Sequence, residues 1–189
     1  MSANKPSALP LSKEDWVTVL KDQGQPAFRA GQILDWIYAK RVSSFDQMTN
    51  LSKPLRDWLT DNYRVLELDP VSVTGSKDTT QKYLFRLGDG RLIETVLIPA
   101  SRALYGEQSD RRTLCVSSQV GCAFDCKFCA SGLAGFTRNL TTGEIISQVL
   151  QVEAESGERI QNIVFMGMGE PLANRANVCS AIKLSLIHI

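Results

Sequence analysis

The sequence of 189 residues has a single histidine, no excess of either charge and no long apolar segment. Lys and Arg together number 21 and Asp and Glu 20, so a nucleic-acid partner would have to be bound by a local basic surface. Residues 1–6 lack the apolar core of a signal peptide, and no uninterrupted apolar stretch approaches the ~20 residues that span a bilayer. We therefore predict a cytoplasmic protein without a membrane segment. The hydrophobic fraction of 43% suffices for one full domain or two small ones.

Cysteine is concentrated in one short region of the chain. Of the five cysteines, four lie between residues 115 and 129. Clustered cysteines in a chain without an export signal indicate metal or redox chemistry rather than a disulfide framework. Three of them, Cys122, Cys126 and Cys129, have the spacing C-x3-C-x2-C. Three thiolates at this spacing favour a four-iron cluster with one iron left open for chemistry.

Two other interpretations of these cysteines stay open on spacing alone. A zinc site needs four ligands, and the fourth would have to come from Cys115, Cys179 or His188. A thioredoxin-like redox pair formed by the last two cysteines of the run would leave the first without a role.

The N-terminal third of the chain predicts short helices. Ser12 is placed to cap a first helix that ends at Gly24. Residues 29–41 repeat apolar side chains at helical spacing, and Ser52 followed by Pro54 marks the start of a third helix. These apolar faces predict a small helical core.

The next segment predicts two antiparallel strands. Residues 83–87 and 91–98 are rich in apolar and β-branched side chains and flank the turn Gly88-Asp-Gly90. Pro99 ends the second strand, and residues 100–112 are polar and predict an exposed connection that is longer than usual.

The remainder of the chain predicts a strand–loop–helix–strand unit. Residues 114–118 form a buried strand, and a capping box at residues 141–144 opens a helix that Gly157 closes. Residues 162–166 form the second strand. Such a βαβ unit belongs to a parallel sheet or barrel, in which ligands bind beyond the carboxyl ends of the strands. Cys179 lies in the following helix and is predicted to be a buried residue without a role in the site.

Several segments resemble a known family. The run Cys122-x3-Cys126-x-Phe128-Cys129 and the segment Gly167-Met-Gly-Glu-Pro171 resemble the cluster loop and the glycine–glutamate segment of the radical S-adenosylmethionine (SAM) superfamily. The resemblance narrows to the RlmN/Cfr family of RNA methyltransferases and spans roughly residues 14 to 180. The segments that narrow it are Cys115-Val-Ser-Ser-Gln-Val-Gly-Cys122, Gly135-Phe-Thr-Arg-Asn-Leu140, Phe165-Met-Gly-Met-Gly-Glu-Pro171, Phe28–Tyr38 and Met48–Lys53.

This resemblance implies two cofactors and the residues that hold them. The cofactors are a 4Fe-4S cluster, held by the three cysteines at C-x3-C-x2-C spacing, and SAM, which chelates the open iron. Gly169 and Glu170 would contact the SAM amino group, since glycine allows close backbone approach and a carboxylate pairs with an ammonium. Phe128 would pack near the SAM adenine, with packing in the protein core as the alternative.

The resemblance also implies a reaction. Members of the family methylate C2 of an adenosine in 23S rRNA and in tRNA through a methylated cysteine and a covalent protein–RNA intermediate. Glu94 matches the acceptor of the C2 proton. Cys115 matches the resolving cysteine, which releases the product by forming a disulfide with the methyl-carrying cysteine. Arg138 and Asn139 would either contact RNA or cap their loop.

The expected fold is α/β. A helical accessory domain (1–70) and a β-hairpin with linker (71–107) precede the first part of a partial (βα)6 radical SAM barrel (108–189). We expect the chain to be a truncated N-terminal fragment whose last ~5 residues are artefactual, since a single βαβ unit cannot bury its own faces. Such a fragment would lack the methyl-carrying cysteine and would be inactive alone.

The expected partners are 23S rRNA, tRNA and an electron donor such as flavodoxin or ferredoxin, with the protein as a monomer. Two alternatives remain for the function. One is methylation of C8 of adenosine within the same family, and the other is a non-catalytic metal-binding RNA module.

Overall fold

The structure, a computed structural model, describes residues 5–76, 80–100, 111–124, 126–133 and 135–188. The polar connection predicted over residues 100–112 therefore lies almost wholly outside the described residues. The described chain has a mixed α/β fold in which N-terminal helices pack beside a five-stranded sheet.

The N-terminal region contains the three predicted helices. They are α1 (Lys13–Asp22), α2 (Phe28–Leu34), which continues into a π-helical turn (Asp35–Ala39), and α3 (Lys53–Asn62), with a 3-10 turn (Phe45–Gln47) between the last two. Helix α1 begins at Ser12, whose hydroxyl accepts a hydrogen bond from the Asp15 amide (3.1 Å) while the Asp15 carboxylate accepts from the Ser12 amide (2.9 Å). The predicted cap is thus confirmed. The apolar faces of these helices form a buried core. Its members include Trp16, Leu20, Ile33, Ile37, Leu55 and Leu59.

One mixed sheet joins the predicted hairpin to the predicted βαβ unit. Its strands, in spatial order, are β1 (Asp69–Thr74), β2 (Gln81–Arg86), β3 (Leu92–Pro99), β4 (Arg112–Cys115) and β7 (Asn162–Val164). The first three pairings are antiparallel, and β4 pairs with β7 in parallel. The hairpin is therefore continuous with the sheet that supports the cysteine region. A separate two-stranded sheet consists of β5 (Gln119–Gly121) and β6 (Phe136–Asn139), and a short helix, α4 (Ala130–Leu133), lies between them.

Helix α5 (Thr142–Ser156) covers one face of the five-stranded sheet and connects β4 to β7. It begins with the predicted capping box at Thr141 and Glu144 and ends at Gly157, which adopts a left-handed conformation with φ 72°. Its predicted apolar positions are buried: Ile145, Ile146, Val149, Leu150 and Val152. The predicted βαβ unit is therefore confirmed, although β7 ends at Val164 rather than at residue 166.

The last helix lies across from α5 and leaves an open groove beside β7. Helix α6 (Arg175–His188) follows a 3-10 turn (Pro171–Asn174). A groove of about 740 Å³ is lined by Val149, Ile163 and Ile182 among others. Cys179 of this helix is exposed, so the prediction that it is buried is wrong. It lies on the solvent side of α6, whereas Val178 and Ala181 face the core.

A buried ion pair fixes the helical region to α5. The Arg41 guanidinium lies 2.6 Å from the Glu153 carboxylate, and their side chains are only 11% and 3% exposed. Burial lowers the pKa of Arg41, and the Glu153 carboxylate opposes that effect.

None of the helices formed by the described residues has the length and apolar character needed to cross a membrane.

Candidate metal and cofactor site

The cysteine loop, residues 122–129, leaves the end of β5 through a tight glycine turn. Gly121 has φ 72°, and a Cβ at this position would collide with the carbonyl oxygen of Gly135. The next amide, that of Cys122, donates to the same carbonyl (3.2 Å). Only glycine suits both the left-handed conformation and this close approach of two backbones. The start of the loop is thereby fixed against β6.

The three thiols of the loop are free and partly exposed. The amide of Cys129 donates to the carbonyl of Cys126 (3.0 Å). A Cβ on Gly132 would lie 2.9 Å from that same carbonyl oxygen, so helix α4 approaches the loop closely. Hydrogen bonds from the backbone of Gly132 and Ser131 hold the pKa of Cys129 below its usual value, which favours the thiolate that binds metal.

These features suit a group held by three soft ligands. Thiolates prefer iron–sulfur clusters, zinc and copper over hard cations. Among the described residues, no group of three or more His, Cys, Asp or Glu side chains is already arranged to hold a metal ion. The loop nevertheless provides the donor set and the glycine-shaped backbone that a cluster with three cysteine ligands needs.

The glycine–glutamate loop, residues 167–170, follows β7 and lies against the chain that leaves β4. The Gly167 amide donates to the Val116 carbonyl (3.1 Å), and the Ser118 amide donates to the Met168 carbonyl (2.8 Å). Gly169 has φ 96°, and a Cβ there would collide with the side chain of Gln119. The glycine–glutamate loop therefore lies at the carboxyl ends of β4 and β7, against the segment that leads into β5 and the cysteine loop.

Glu170 has a contact within its own segment. Its carboxylate accepts a hydrogen bond from the Leu172 amide (3.1 Å) and so caps the 3-10 turn that follows. This bond holds one carboxylate oxygen in place, and within the described part of the chain no hydrogen bond to the other oxygen is found.

Glu94 and Cys115 lie on the same face of the five-stranded sheet. Cys115 pairs with Val96 across β3 and β4, and Glu94 precedes Val96 by two residues, so the three side chains share a face. Diagonal neighbours of this kind are separated by about 7–8 Å. The Glu94 carboxylate is 45% exposed and lies 2.8 Å from the Lys82 ammonium.

Cys115 differs from the cysteines of the loop in its surroundings. It is buried at the end of β4. Burial raises the pKa of its thiol, and a hydrogen bond from the backbone of Met166 opposes that effect. The thiol therefore lies beside the start of the glycine–glutamate loop and favours its neutral form.

Ser117 and Gln119 connect these parts and were not singled out by the sequence analysis. The Ser117 hydroxyl donates to the Glu94 carbonyl (2.6 Å) and accepts from the Met168 amide (2.9 Å). The Gln119 side-chain oxygen accepts from the amides of Ala123 (3.1 Å) and Glu170 (2.9 Å). Both residues lie in the segment Cys115–Cys122 that carries the family resemblance, but nothing in their spacing indicated which groups their side chains would contact.

The Phe128 side chain is 93% exposed. It is therefore not packed into the core formed by the described residues. Its place near the SAM adenine stays a prediction.

Arg138 and Asn139 both hold the loop structure together. The Arg138 guanidinium binds the Glu144 carboxylate with two hydrogen bonds (2.8 Å each) and the Asp89 carboxylate with a third (2.7 Å). Glu144 is the main cause of the raised pKa of Arg138. The Asn139 side-chain oxygen accepts from the side-chain amide of Gln119 (2.8 Å). Of the two predicted roles, loop capping accounts for both side chains.

Comparisons with known proteins show which family the chain resembles. The sequence model of the family described as ribosomal RNA large subunit methyltransferase N-terminal domain matches residues 9–65. A probable dual-specificity RNA methyltransferase RlmN from Akkermansia muciniphila is 52% identical over 177 residues, which are 94% of this chain and 49% of the relative. The dual-specificity RNA methyltransferase RlmN from Geotalea uraniireducens is 51% identical over 162 residues, 86% of this chain and 44% of the relative.

A solved structure extends the likeness to the fold. The crystal structure of a radical SAM methyltransferase from Sphaerobacter thermophilus superposes with a TM-score of 0.84 at 39% identity, covering 95% of this chain and 51% of that one. The chain thus spans about half the length of the curated relatives it matches. With two loops at the carboxyl ends of β4 and β7 and this similarity along nearly all of its length, the chain belongs to the RlmN family.

Proposed function

We propose that this chain provides the cluster-binding and SAM-binding region of an RNA methyltransferase that methylates C2 of adenosine in 23S rRNA and tRNA. The activity is proposed for the whole protein, since the chain spans about half of its relatives. One observation carries the proposal: the glycine–glutamate loop and Cys115 lie at the carboxyl ends of two parallel strands, and the Gln119 side-chain oxygen joins this loop to the start of the cysteine loop. Parallel sheets bind their ligands at this edge.

The cysteine loop would bind the cluster, and the glycine–glutamate loop would bind SAM. Cys122, Cys126 and Cys129 would hold a 4Fe-4S cluster through their thiolates. The Glu170 carboxylate would pair with the ammonium of SAM, and Gly169 would allow the backbone to approach it. When bound, the cluster and SAM would supply the one-electron chemistry that an aromatic carbon without nucleophilic or acidic character requires.

Two residues outside the loops would act on the RNA base. Glu94 would accept the proton that leaves C2, and its ion pair with Lys82 keeps the carboxylate oriented on an accessible face of the sheet. Cys115 would release the product by forming a disulfide with the methyl-carrying cysteine of the whole protein. Because both side chains share one face, a single bound base could meet both.

Anaerobic reconstitution with iron and sulfide tests the cluster assignment. We expect a brown chain with about four irons that cleaves SAM after reduction, and we expect Cys122→Ala to abolish cluster binding. Cys179→Ala is the matched control, because Cys179 is a free cysteine on α6 outside the cysteine loop. A colourless chain that binds one zinc, or equal losses in the two variants, would refute the assignment.

The position of methylation is tested in the whole protein. Liquid chromatography of the digested RNA against authentic standards, with detection by mass spectrometry, distinguishes 2-methyladenosine, which we expect, from its isomer 8-methyladenosine. Substituting Glu94 with glutamine should stop product formation while the cluster is retained.

A further inference from the structure

Gln119 lies between the two loops of the site and is almost completely buried, with 1% of its surface exposed. It begins strand β5, three residues before Cys122. Its side chain has three hydrogen bonds: the carbonyl oxygen accepts from the amides of Ala123 and Glu170, and the amide group donates to Asn139.

The two bonds to the side-chain oxygen reach different loops. Ala123 directly follows the first cysteine of the cysteine loop, whereas Glu170 is 51 residues from Gln119 along the chain. One oxygen atom thus fixes the backbone beside a metal ligand and the backbone of the residue proposed to bind the SAM ammonium. The third bond, to Asn139 on β6, holds the amide in the orientation that presents this oxygen to both loops.

The glycine–glutamate loop is also shaped around this side chain. A Cβ on Gly169 would collide with the Cβ and Cγ atoms of Gln119. In addition, the backbone amide of Gln119 donates to the backbone carbonyl of Met168 (3.2 Å). Backbone and side chain of one residue therefore support the loop from two directions, and the loop has no space for a larger residue at position 169.

We infer that Gln119 is a positioning residue that sets the spacing between the cysteine ligands and Glu170. The inference rests on the proposed function, in which one ligand is held at the cysteine loop and at Glu170 at the same time. A ligand bound at two points is sensitive to the distance between them. Residues that orient metal ligands from behind typically change affinity or activity by about 10–100-fold when they are replaced.

Three substitutions test this role. Gln119→Met keeps the length of the side chain but removes the acceptor for both loop amides. Gln119→Glu keeps the acceptor oxygen for both loop amides. Its second carboxylate oxygen accepts from the Asn139 side chain once that amide turns over to present its NH2 group, so this is the conservative variant. Gln151→Met is the matched control, because Gln151 is also a buried glutamine but bonds to Glu155 on the outer part of α5.

The first measurement is amide hydrogen exchange on the chain without cofactors. We expect Gln119→Met to speed hydrogen exchange at the amides of both Ala123 and Glu170 by about 5–10-fold. This is the change in the local opening equilibrium that the loss of one hydrogen bond at each amide would cause. Gln119→Glu should retain protection at both amides, and Gln151→Met should leave both unchanged. Exchange that stays slow at either amide in Gln119→Met would overturn the inference.

The second measurement is SAM binding to the reconstituted chain, with iron content determined on the same sample. We expect Gln119→Met to retain the iron of the unmodified chain while its SAM affinity falls by about 10–100-fold. Gln119→Glu should recover most of that affinity. Unchanged affinity in Gln119→Met, or an equal loss in Gln151→Met, would contradict a positioning role.

The two measurements separate this inference from the proposed function. If the unmodified chain bound neither cluster nor SAM, the proposed function would fail, and hydrogen exchange alone would decide whether Gln119 couples the loops. If it bound both and Gln119→Met did so equally well, the inference would fail while the proposed function stood.

Discussion

At the scale of single residues, Gly121 and Gly157 have the same backbone conformation and different surroundings. Both have φ 72°. A Cβ on Gly121 would collide with the carbonyl of Gly135, whereas a Cβ on Gly157 would meet nothing within 4 Å. An alanine at Gly157 would therefore have only the energetic cost of a left-handed conformation. An alanine at Gly121 would have the same cost and, in addition, the cost of pushing two backbones apart.

We expect Gly157→Ala to lower the free energy of unfolding by about 1–2 kcal/mol, the strain of a left-handed alanine. Gly121→Ala should lower the free energy of unfolding by about 1–3 kcal/mol more than Gly157→Ala, because the Gly135 backbone has to move. Urea unfolding followed by circular dichroism measures both. Equal losses would show that the close contact between β5 and β6 has no energetic weight.

At the scale of elements, helix starts differ in how they are capped. The Thr141 hydroxyl accepts from the Glu144 amide (3.1 Å), and the Glu144 carboxylate accepts from the Thr141 amide (2.9 Å). Ser52 precedes α3 without a side-chain cap bond. Because Glu144 also binds Arg138, the start of α5 is joined to strand β6.

We expect Thr141→Ala to lower the free energy of unfolding by about 1 kcal/mol, the usual value of an N-cap. Ser52→Ala should change it by less than about 0.5 kcal/mol, since no side-chain cap bond is lost. Thermal and urea unfolding of the two variants provide the comparison. A loss in Ser52→Ala as large as that in Thr141→Ala would contradict this account of the caps.

The elements that the sequence predicted are those with local signals. The cap at Ser12, the capping box at Thr141, the turn at Gly88–Gly90 and the glycine stop at 157 each depend on residues a few positions apart. Strand β1 was missed because its apolar–polar alternation covers only residues 71–74, too short a pattern to be recognised, and no residue of the strand is buried. Strands β5 and β6 are three and four residues long, too short for a periodic pattern to be recognised.

The same distinction applies to the site. Cysteine spacing suggested the three proposed ligands, and family resemblance suggested Glu94, Cys115, Gly169 and Glu170 as further site residues. Gln119 and Ser117 were missed because their partners are distant in the chain: Glu170 is 51 residues from the former, and Glu94 is 23 from the latter. Only the folded sheet shows which amides their side chains reach.

At the scale of the whole molecule, the N-terminal helices and the sheet are joined by a buried charge pair. Arg41 binds Glu153 of α5, and Arg159 lies 3.5 Å from the same carboxylate. Arg41 also has a positive φ of 59°, an uncommon conformation for this residue type that costs about 1–3 kcal/mol. The surrounding contacts therefore have to compensate for that strain.

We expect Arg41→Met to destabilise the chain by about 3–5 kcal/mol, because it leaves the Glu153 carboxylate buried opposite a single, exposed arginine. Adding Glu153→Gln should restore part of the loss. All three tryptophans, Trp16, Trp36 and Trp58, belong to the helical region, so their fluorescence reports on it while circular dichroism reports on the whole chain. If the Arg41→Met variant had the same midpoint denaturant concentration of unfolding as the unmodified chain, the expectation would be contradicted.

The parallel pairing of β4 with β7 also bears on the order of folding. Strands β1, β2 and β3 pair with sequence neighbours, whereas Arg112 and Gln161, which meet beside the β4–β7 pair, are 49 residues apart. Closing so long a segment has a large entropic cost, which slows formation of the contact. The topology thus favours early formation of the antiparallel strands and late arrival of β7. Since the cysteine loop lies inside that segment, we expect its thiols to stay accessible to solvent until β7 has joined the sheet.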